Sequence, residues 1–379
     1  MDNEIHGAVL FAESSTIDLA ALERELDHNL LRLYPGLHQD GIRVHVVTPE
    51  RMPDRVLDSL SKVLPNFYGD VEDSLFGTFR SAAYLTADPN GYFTMRKVLF
   101  GIYSQTEALG LTMATFKRGG SVKFGPTAVA PDHRHMGLAR ALRDVVESVL
   151  QQVEGIRKFY LTVNTKNHPA LLFNLDRGFR VEGSLRDQYQ DKSNELILSR
   201  DASSPIPRHI IENMELATAD ADGIPDVDVW ENASVEELRG LMQPTLLKYY
   251  ATGSESFYRH LVASSQAGIR DYAAKSKVVF RARQGDAITG LAVCAPKRGG
   301  SVKIAPLIAL DRAAIPALLD RILIFSAQHD MKKIYATIPL AERGIVKQLL
   351  ESGLDLEATL RAPYQTGQDF VVLSRKIEQ

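Results

Sequence analysis

Strand-like residues give way to a helix in the segment GPTAVAPDHRHMGLARALRDVVE (125–147), and Gly137 falls in the first turn of that helix. The first N–H groups of an α-helix have no intrahelical acceptor, and the helix dipole places partial positive charge there. A glycine lets such backbone come close to a ligand, so the pattern suits a phosphate. Arg134, His135, Arg140 and Arg143 add positive potential around the same turn. The chemistry indicated is a diphosphate held by backbone amides. Taken alone, Gly137 reads equally as a permissive residue at a helix start.

The chain also answers itself. KRGGSVK stands at 117–123 and again at 297–303, 180 residues apart. At a spacing of 175, KFYLTV (158–163) is answered by KIYATI (333–338) and RGF (177–179) by SGL (352–354). At the same spacing LRDQY (185–189) is answered by LRAPY (360–364), and LILSR (196–200) by VVLSR (371–375). Five matches in one order imply two copies of one fold in tandem. The phosphate-suited segment belongs to the first copy alone. After the second KRGGSVK the chain reads APLIALDRAAIPALLDRILIF (305–325), without Arg-His-Met-Gly-Leu-Ala and with Pro316 near the helix start.

To position the turn, each copy needs the same elements. One or two helices come first (53–67 and 71–87; 234–250 and 255–273), then a hairpin turning on Gly119-Gly120 or Gly299-Gly300. A strand, a long helix, a strand, a short helix and two closing strands follow. Leu138, Leu142, Val145, Val149 and Val153 form one apolar stripe of the long helix, with Arg140, Arg143, Asp144 and Glu147 mostly away from it. Strands alternating with helices imply an α/β fold with a mixed sheet in each copy. Leu19, Leu22, Leu26, Leu30 and Leu31 mark an amphipathic helix in a 1–40 extension that has no counterpart in the second half. The expected organisation is this extension, a first domain at 41–200 with the site, a linker at 201–222 beginning DASSPIPR, and a degenerate second domain at 223–379.

Composition narrows the partners. The 379 residues are 45% hydrophobic and 24% charged, which is ordinary globular usage. Lys plus Arg number 44 against 47 Asp plus Glu, a net charge of −3 that argues against nucleic acid. The one cysteine, Cys294, excludes an intrachain disulfide and a Cys-rich metal site, and the ten histidines form no ligand-spaced cluster, so no metal is expected. The start MDNEIHGAVLFAESS is unlike a signal peptide, and no stretch approaches the roughly 20 apolar residues of a membrane span. The expectation is a cytoplasmic protein with no membrane partner.

Residues 42–200 resemble the GNAT superfamily of N-acetyltransferases. That family's acyl-CoA motif, Val-x-Pro-x-x-Arg/Gln-x-x-Gly-x-Gly/Ala, is supplied by Val129, Pro131, Arg134, Gly137 and Ala139, with Ala130 in the first x. A later pattern, Asn-x-x-Ala followed by Gly-Phe, is matched by Asn167, Ala170, Gly178 and Phe179. The tandem layout is similar to that of mycothiol synthase and other double-domain members. The resemblance implies two GNAT-like domains, the second degenerate, and acetyl-CoA or another acyl-CoA as co-substrate. Thr127, Ala128 and Val129 would lie on a splayed strand whose backbone pairs with pantetheine, the Val129 N–H polarising the thioester carbonyl. Arg134, His135, Met136, Gly137, Leu138, Ala139 and Arg140 would surround the pyrophosphate. Asn167 would bond the pantetheine arm or brace the short helix after it.

The implied reaction is direct attack of a small metabolite's amine on the thioester, making the protein an acetyl-CoA-dependent N-acetyltransferase. Two acid–base positions familiar in the family are occupied here by Asn174 and Thr162, neither of which titrates. Replacement groups are Tyr160, His168, Glu182, Tyr189 and Glu195, with Tyr189, His168 and Glu182 the weak catalytic candidates. Tyr189 has a counterpart in Tyr364, and Lys123 in Lys303, which favours structural roles for both. The vacant positions also admit a catalytically silent acyl-CoA-binding sensor or scaffold. A third reading keeps the fold but takes a carrier-protein or aminoacyl-tRNA donor. Tyr249, Tyr250, Phe257 and Tyr258 read either as part of an acceptor pocket or as helix core. A monomer with pseudo-dimeric halves, or a homodimer, is expected.

Overall fold

The hairpin at Gly119-Gly120 sets the frame of the first sheet. Both glycines have left-handed φ (+83° and +75°), and Ala108–Lys117 (β3) folds back through them onto Ser121–Val129 (β4). A Cβ on Gly120 would stand 2.1 Å from the Gly155 carbonyl oxygen, so this tip excludes a side chain. The computed structural model describes residues 18–63, 79–80, 82–85, 94–117, 119–185, 194–207, 224–250, 253–266, 277–297 and 300–377. It divides into two units, 1–208 and 209–379. The linker expected at 201–222 lies mostly outside the described residues.

In the first unit, helix Leu19–Leu33 (α1) begins with the Asp18 carboxylate accepting the Ala21 N–H at 2.9 Å. It buries Leu22, Leu26 and Leu30 but leaves Leu31 46% exposed, so the expected apolar face is narrower by that residue. The short helix Pro35–Gln39 (α2), Arg43–Val46 (β1), Asp54–Val63 (α3) and Thr94–Tyr103 (β2) precede the hairpin. After it come Leu138–Gln151 (α4), Lys158–Asn164 (β5), His168–Asp176 (α5), Arg180–Leu185 (β6) and Glu195–Asp201 (β7). The sheet order is β1-β2-β3-β4-β5-β7-β6. Only β4 and β5 pair in parallel.

The second unit holds Asp226–Val229 (β8), Val235–Thr245 (α6), Glu255–Gln266 (α7), Val278–Gln284 (β9), Ala287–Lys297 (β10) and Ser301–Ala309 (β11). It continues with Ala314–Gln328 (α8), Lys333–Pro339 (β12), Arg343–Glu351 (α9), Asp355–Leu360 (β13) and Phe370–Lys376 (β14). Its order, read from β8, is β8-β9-β10-β11-β12-β14-β13. Adding seven to each strand label of the first sheet gives the second, so both are mixed α/β sheets of one topology in tandem.

One expectation fails on α4. Its leucine and valine stripe is buried, but so are Arg143, Asp144 and Glu147, which the sequence pattern turned away from the core. The reason is that α1 packs against α4, covering a face that would otherwise meet water. Charge there survives by pairing. Glu147 accepts from Arg143 at 2.8 Å, from Arg177 Nε at 3.3 Å and from Arg200. Asp144 accepts from Arg177 and from the Tyr34 hydroxyl. Burial alone would raise the Glu147 carboxyl, yet the three guanidiniums outweigh it and hold it below the usual range. The corresponding helix α8 buries Ile315, Leu318, Leu319, Ile322 and Phe325 instead.

Candidate active site

The fork between β4 and β5 organises the site. Their parallel pairing runs from Ser121↔Lys158 to Lys123↔Tyr160 and stops, although β4 continues to Val129 and β5 to Asn164. On its other edge β4 stays paired with β3, through Thr112↔Thr127, Leu111↔Ala128 and Gly110↔Val129, with an irregularity after Thr112. Beyond Phe124 every residue of β4 is half-buried, where the first half alternates cleanly. The Ala130 N–H donates to the Leu109 carbonyl at 2.8 Å, toward β3. Strand alternation therefore aims the Val129 N–H the other way, into the fork. The expected splayed strand and its inward amide are thus what the backbone forms. The Thr127 side chain is engaged elsewhere: its hydroxyl meets Thr112 Oγ1 at 2.8 Å and accepts from Arg143 at 3.2 Å, leaving its backbone to the fork.

Past Val129 the chain makes a 3-10 turn, Pro131–His133, and enters α4. Arg55 of α3 pins this turn by bonding Glu107 at 2.6 Å and Asp132, and His133 Nε2 lies 3.3 Å from Glu107. His135 (φ +66°) and Gly137 (φ +76°) are left-handed with Met136 between them. Backbone of alternating hand gathers successive N–H groups into a concavity that accepts an anion. No side chain caps α4, and a Cβ built on Gly137 meets nothing within 4 Å. Arg134, His135, Met136 and Gly137 are exposed, Ala139 and Arg140 half-buried, and Leu138 buried in the core. The amides of Leu138 and Ala139 precede the first return bond, Ala141 N–H to the Gly137 carbonyl at 3.0 Å. One of the expected cations does not serve here: Arg143 is 2% exposed, bonded to Glu147 and stacked 3.8 Å over Phe124. Arg134 stays exposed beside the turn, its guanidinium 3.4 Å from the Ser59 hydroxyl.

The second unit keeps the fork and fills it. β11 and β12 pair as far as Ile304↔Ala336 and then part. Pro306, Leu307 and Ile308 are buried beyond that point, where β4 is half-open. Just before α8 the buried Asp311 carboxylate accepts the Ala313 N–H at 2.7 Å, so an acidic side chain stands where an anion would approach. Tyr250, Tyr364 and Phe370 cluster with ring centroids 5.0–5.2 Å apart, and the Tyr250 hydroxyl donates to the Thr337 carbonyl past the fork. Tyr249 and Tyr258 are buried in the core of their own unit. Tyr249 and Tyr258 thus serve the core of their own unit, and Tyr250 joins the cluster past the fork.

The titratable candidates separate by register. Glu182 bonds Lys158 at 2.6 Å, at the closed end of the fork, and Glu357 bonds Lys333 at 2.6 Å in the corresponding place. A pair repeated in the copy without a cradle is structural. His168 starts α5 and is half-buried, next to Asn167, whose side chain accepts the Ala170 N–H at 3.2 Å and so braces the helix. Asn174 is buried and donates to the Ala170 carbonyl at 2.8 Å. Tyr189 lies outside the described residues.

Glu195 stands apart. It pairs across the sheet with Asn164, and Lys123 pairs with Tyr160, so all four side chains and Thr162 share the face opposite α4. Glu195 is 1% exposed, and neither oxygen meets a partner at full hydrogen-bonding geometry among the described residues. Burial pushes its carboxyl up to about 7, offset in part by the Asn164 amide and the Lys123 ammonium. Lys123 is itself lowered by burial, with Glu195 opposing the shift. The sequence signal for Glu195 was weak, since its meaning depends on which residue lies across from it.

Residues 60–179 match the model of the acetyltransferase (GNAT) family, so the first unit contains a domain of that family. No curated protein matches. Among solved structures, a putative GNAT-family acetyltransferase from Desulfovibrio desulfuricans is 19% identical over 43% of this chain and 99% of its own, with a TM-score of 0.34. Ard1 from Thermoplasma volcanium is 17% identical over 42% of this chain and 97% of its own, TM-score 0.34. An aminoglycoside 6'-N-acetyltransferase complexed with coenzyme A is 15% identical over 41% of this chain and 92% of its own, TM-score 0.31.

Proposed function

We propose that the first unit binds acyl-CoA, acetyl-CoA foremost, and transfers the acyl group to the amine of a small metabolite by direct attack. The observation that carries this reading is the left-handed turn at His135–Gly137 beside an open half-strand, set against a second copy that buries Pro306–Ile308 and places the Asp311 carboxylate before its helix. The space before Gly137 and the amides of the first α4 turn suit a diphosphate. The Val129 amide suits an oxygen that gains charge in the transition state, and holding donor and amine together supplies much of the remaining acceleration. No helix among the described residues is long and apolar enough to cross a membrane. Calorimetry with acetyl-CoA tests the donor site, and saturable heat is the expected result. Thiol release in the presence of primary amines tests transfer.

One observation favours a second reading. The buried Asn174 amide and the half-buried Thr162 supply no proton in the two positions the family often uses, as a silent acyl-CoA sensor would have it. Binding of acetyl-CoA with no thiol release from any amine selects that reading.

A further inference from the structure

The sheet face at the fork of the first unit carries a carboxylate that the fold does not require. Glu195 is buried at the start of β7, its oxygens without full partners among the described residues. An ionisable group left so is costly, and proteins usually remove it or pair it. The internal copy shows that removal is open to this fold. Lys123, Tyr160 and Thr162 are answered by Lys303, Tyr335 and Thr337, whereas the cross-strand pair Asn164↔Glu195 is answered by Pro339↔Phe370. Phe370 packs into the aromatic cluster that fills the second fork. The acid is therefore found only in the copy with the open, uncapped turn.

Its surroundings suit one kind of partner. Across from it stand Asn164 on β5 and the uncharged Leu185 on β6; further along the same face lie Thr162 and Tyr160 of β5 and Lys123 of β4, whose charge reaches it. α3 packs on β3 and β4 and turns the apolar Leu57 and Leu60 toward Leu111 and Met113, on this same face. Among the described residues the charge acting on Glu195 is that of Lys123. A buried acid at the end where β4 and β5 part attracts a cation and can take a proton from it.

We propose that Glu195 is the general base of acyl transfer and that the acceptor is a primary amine arriving as its ammonium on the sheet face opposite α4. This rests on the donor reading above. The ammonium gives one proton to the Glu195 carboxylate. The freed amine nitrogen forms a C–N bond at the thioester carbon, and the C–S bond breaks with its electron pair going to sulfur. The nitrogen's surplus proton passes to the thiolate, giving free thiol, and Glu195 returns its proton to water.

The test uses full-length protein, acetyl-CoA and a panel of aliphatic, aromatic and amino-sugar primary amines. Glu195→Gln is expected to bind acetyl-CoA as the wild type does and to lower kcat/KM at pH 7 by roughly 10²-fold or more. The wild-type rate should rise with pH through a limb near 7 that the variant lacks, and Glu195→Asp should restore part of the rate. A readout without substrate is the melting temperature of both proteins from pH 5 to 9, where the wild type alone should lose stability through pH 7. A wild type that turns over amines while Glu195→Gln keeps both rate and limb overturns the role of Glu195 and leaves the donor site standing. Acetyl-CoA binding with no turnover of any amine overturns it as well. Failure of the wild type to bind acetyl-CoA removes the donor reading, and this inference with it.

Discussion

At the residue scale, the stability cost of Glu195 has a definite sign. Its carboxyl titrates near 7 in the folded chain against an ordinary 4.5, so the folded state binds the proton more tightly. That contribution to stability is fully present below about pH 4.5 and is lost as pH rises through 7. Glu195→Gln cannot ionise. Thermal melts should show the variant more stable than the wild type at pH 8, with the margin shrinking toward pH 5. A variant less stable at pH 8 would mean that the carboxylate is structurally required after all. The same residue shows what sequence reading reached. Val129 and Gly137 are legible because their roles are backbone roles fixed by a local pattern. Glu195 stood among five titratable residues with nothing to rank it, because its surroundings arise from the strand register Asn164↔Glu195 and Lys123↔Tyr160. Glu182 fell for the same reason, since its partner Lys158 is 24 positions away in sequence.

At the element scale, α4 does two jobs at once. Its first turn presents amides outward while its middle carries a buried carboxylate shared by three arginines. Removing that shared charge leaves guanidiniums uncompensated in the core. Glu147→Gln should therefore destabilise the first unit by about 3–5 kcal/mol, read as a fall in the denaturant midpoint. A change under about 1 kcal/mol would show that water reaches the arginines. The apolar stripe of α4 was readable from its period. The buried charges were not, because α1, lying more than a hundred residues earlier, is what covers them. At the other end of the helix, Gly137→Asp puts a carboxylate into the space before the amides, on a left-handed backbone that resists any side chain. Its acetyl-CoA affinity should fall at least tenfold by calorimetry, and an unchanged affinity would place the diphosphate elsewhere.

At the scale of the whole molecule, the two units share a topology and a fork, and differ in what fills it. Strand patterns survive in both copies because each sheet must still bury its own core, which is why the repeat could be read directly from the residues. What stands at the fork differs more subtly. In the second unit it is the Asp311 carboxylate, a buried Pro306–Ile308 stretch and the Tyr250–Tyr364–Phe370 cluster. The missing glycine segment was visible in advance and these three were not, because side chains far apart in sequence come together there. The carboxylate of Asp311, held by the Ala313 N–H just before α8, would repel a diphosphate, so the second fork should stay closed to acetyl-CoA. Calorimetric titration of the full chain should therefore give one acetyl-CoA per chain. Gly137→Asp should remove the entire binding heat at donor concentrations that saturate the wild type. A stoichiometry of two, or a half-amplitude isotherm persisting in Gly137→Asp, would show that Asp311 gives way to a ligand and that the units divide the substrate rather than the labour.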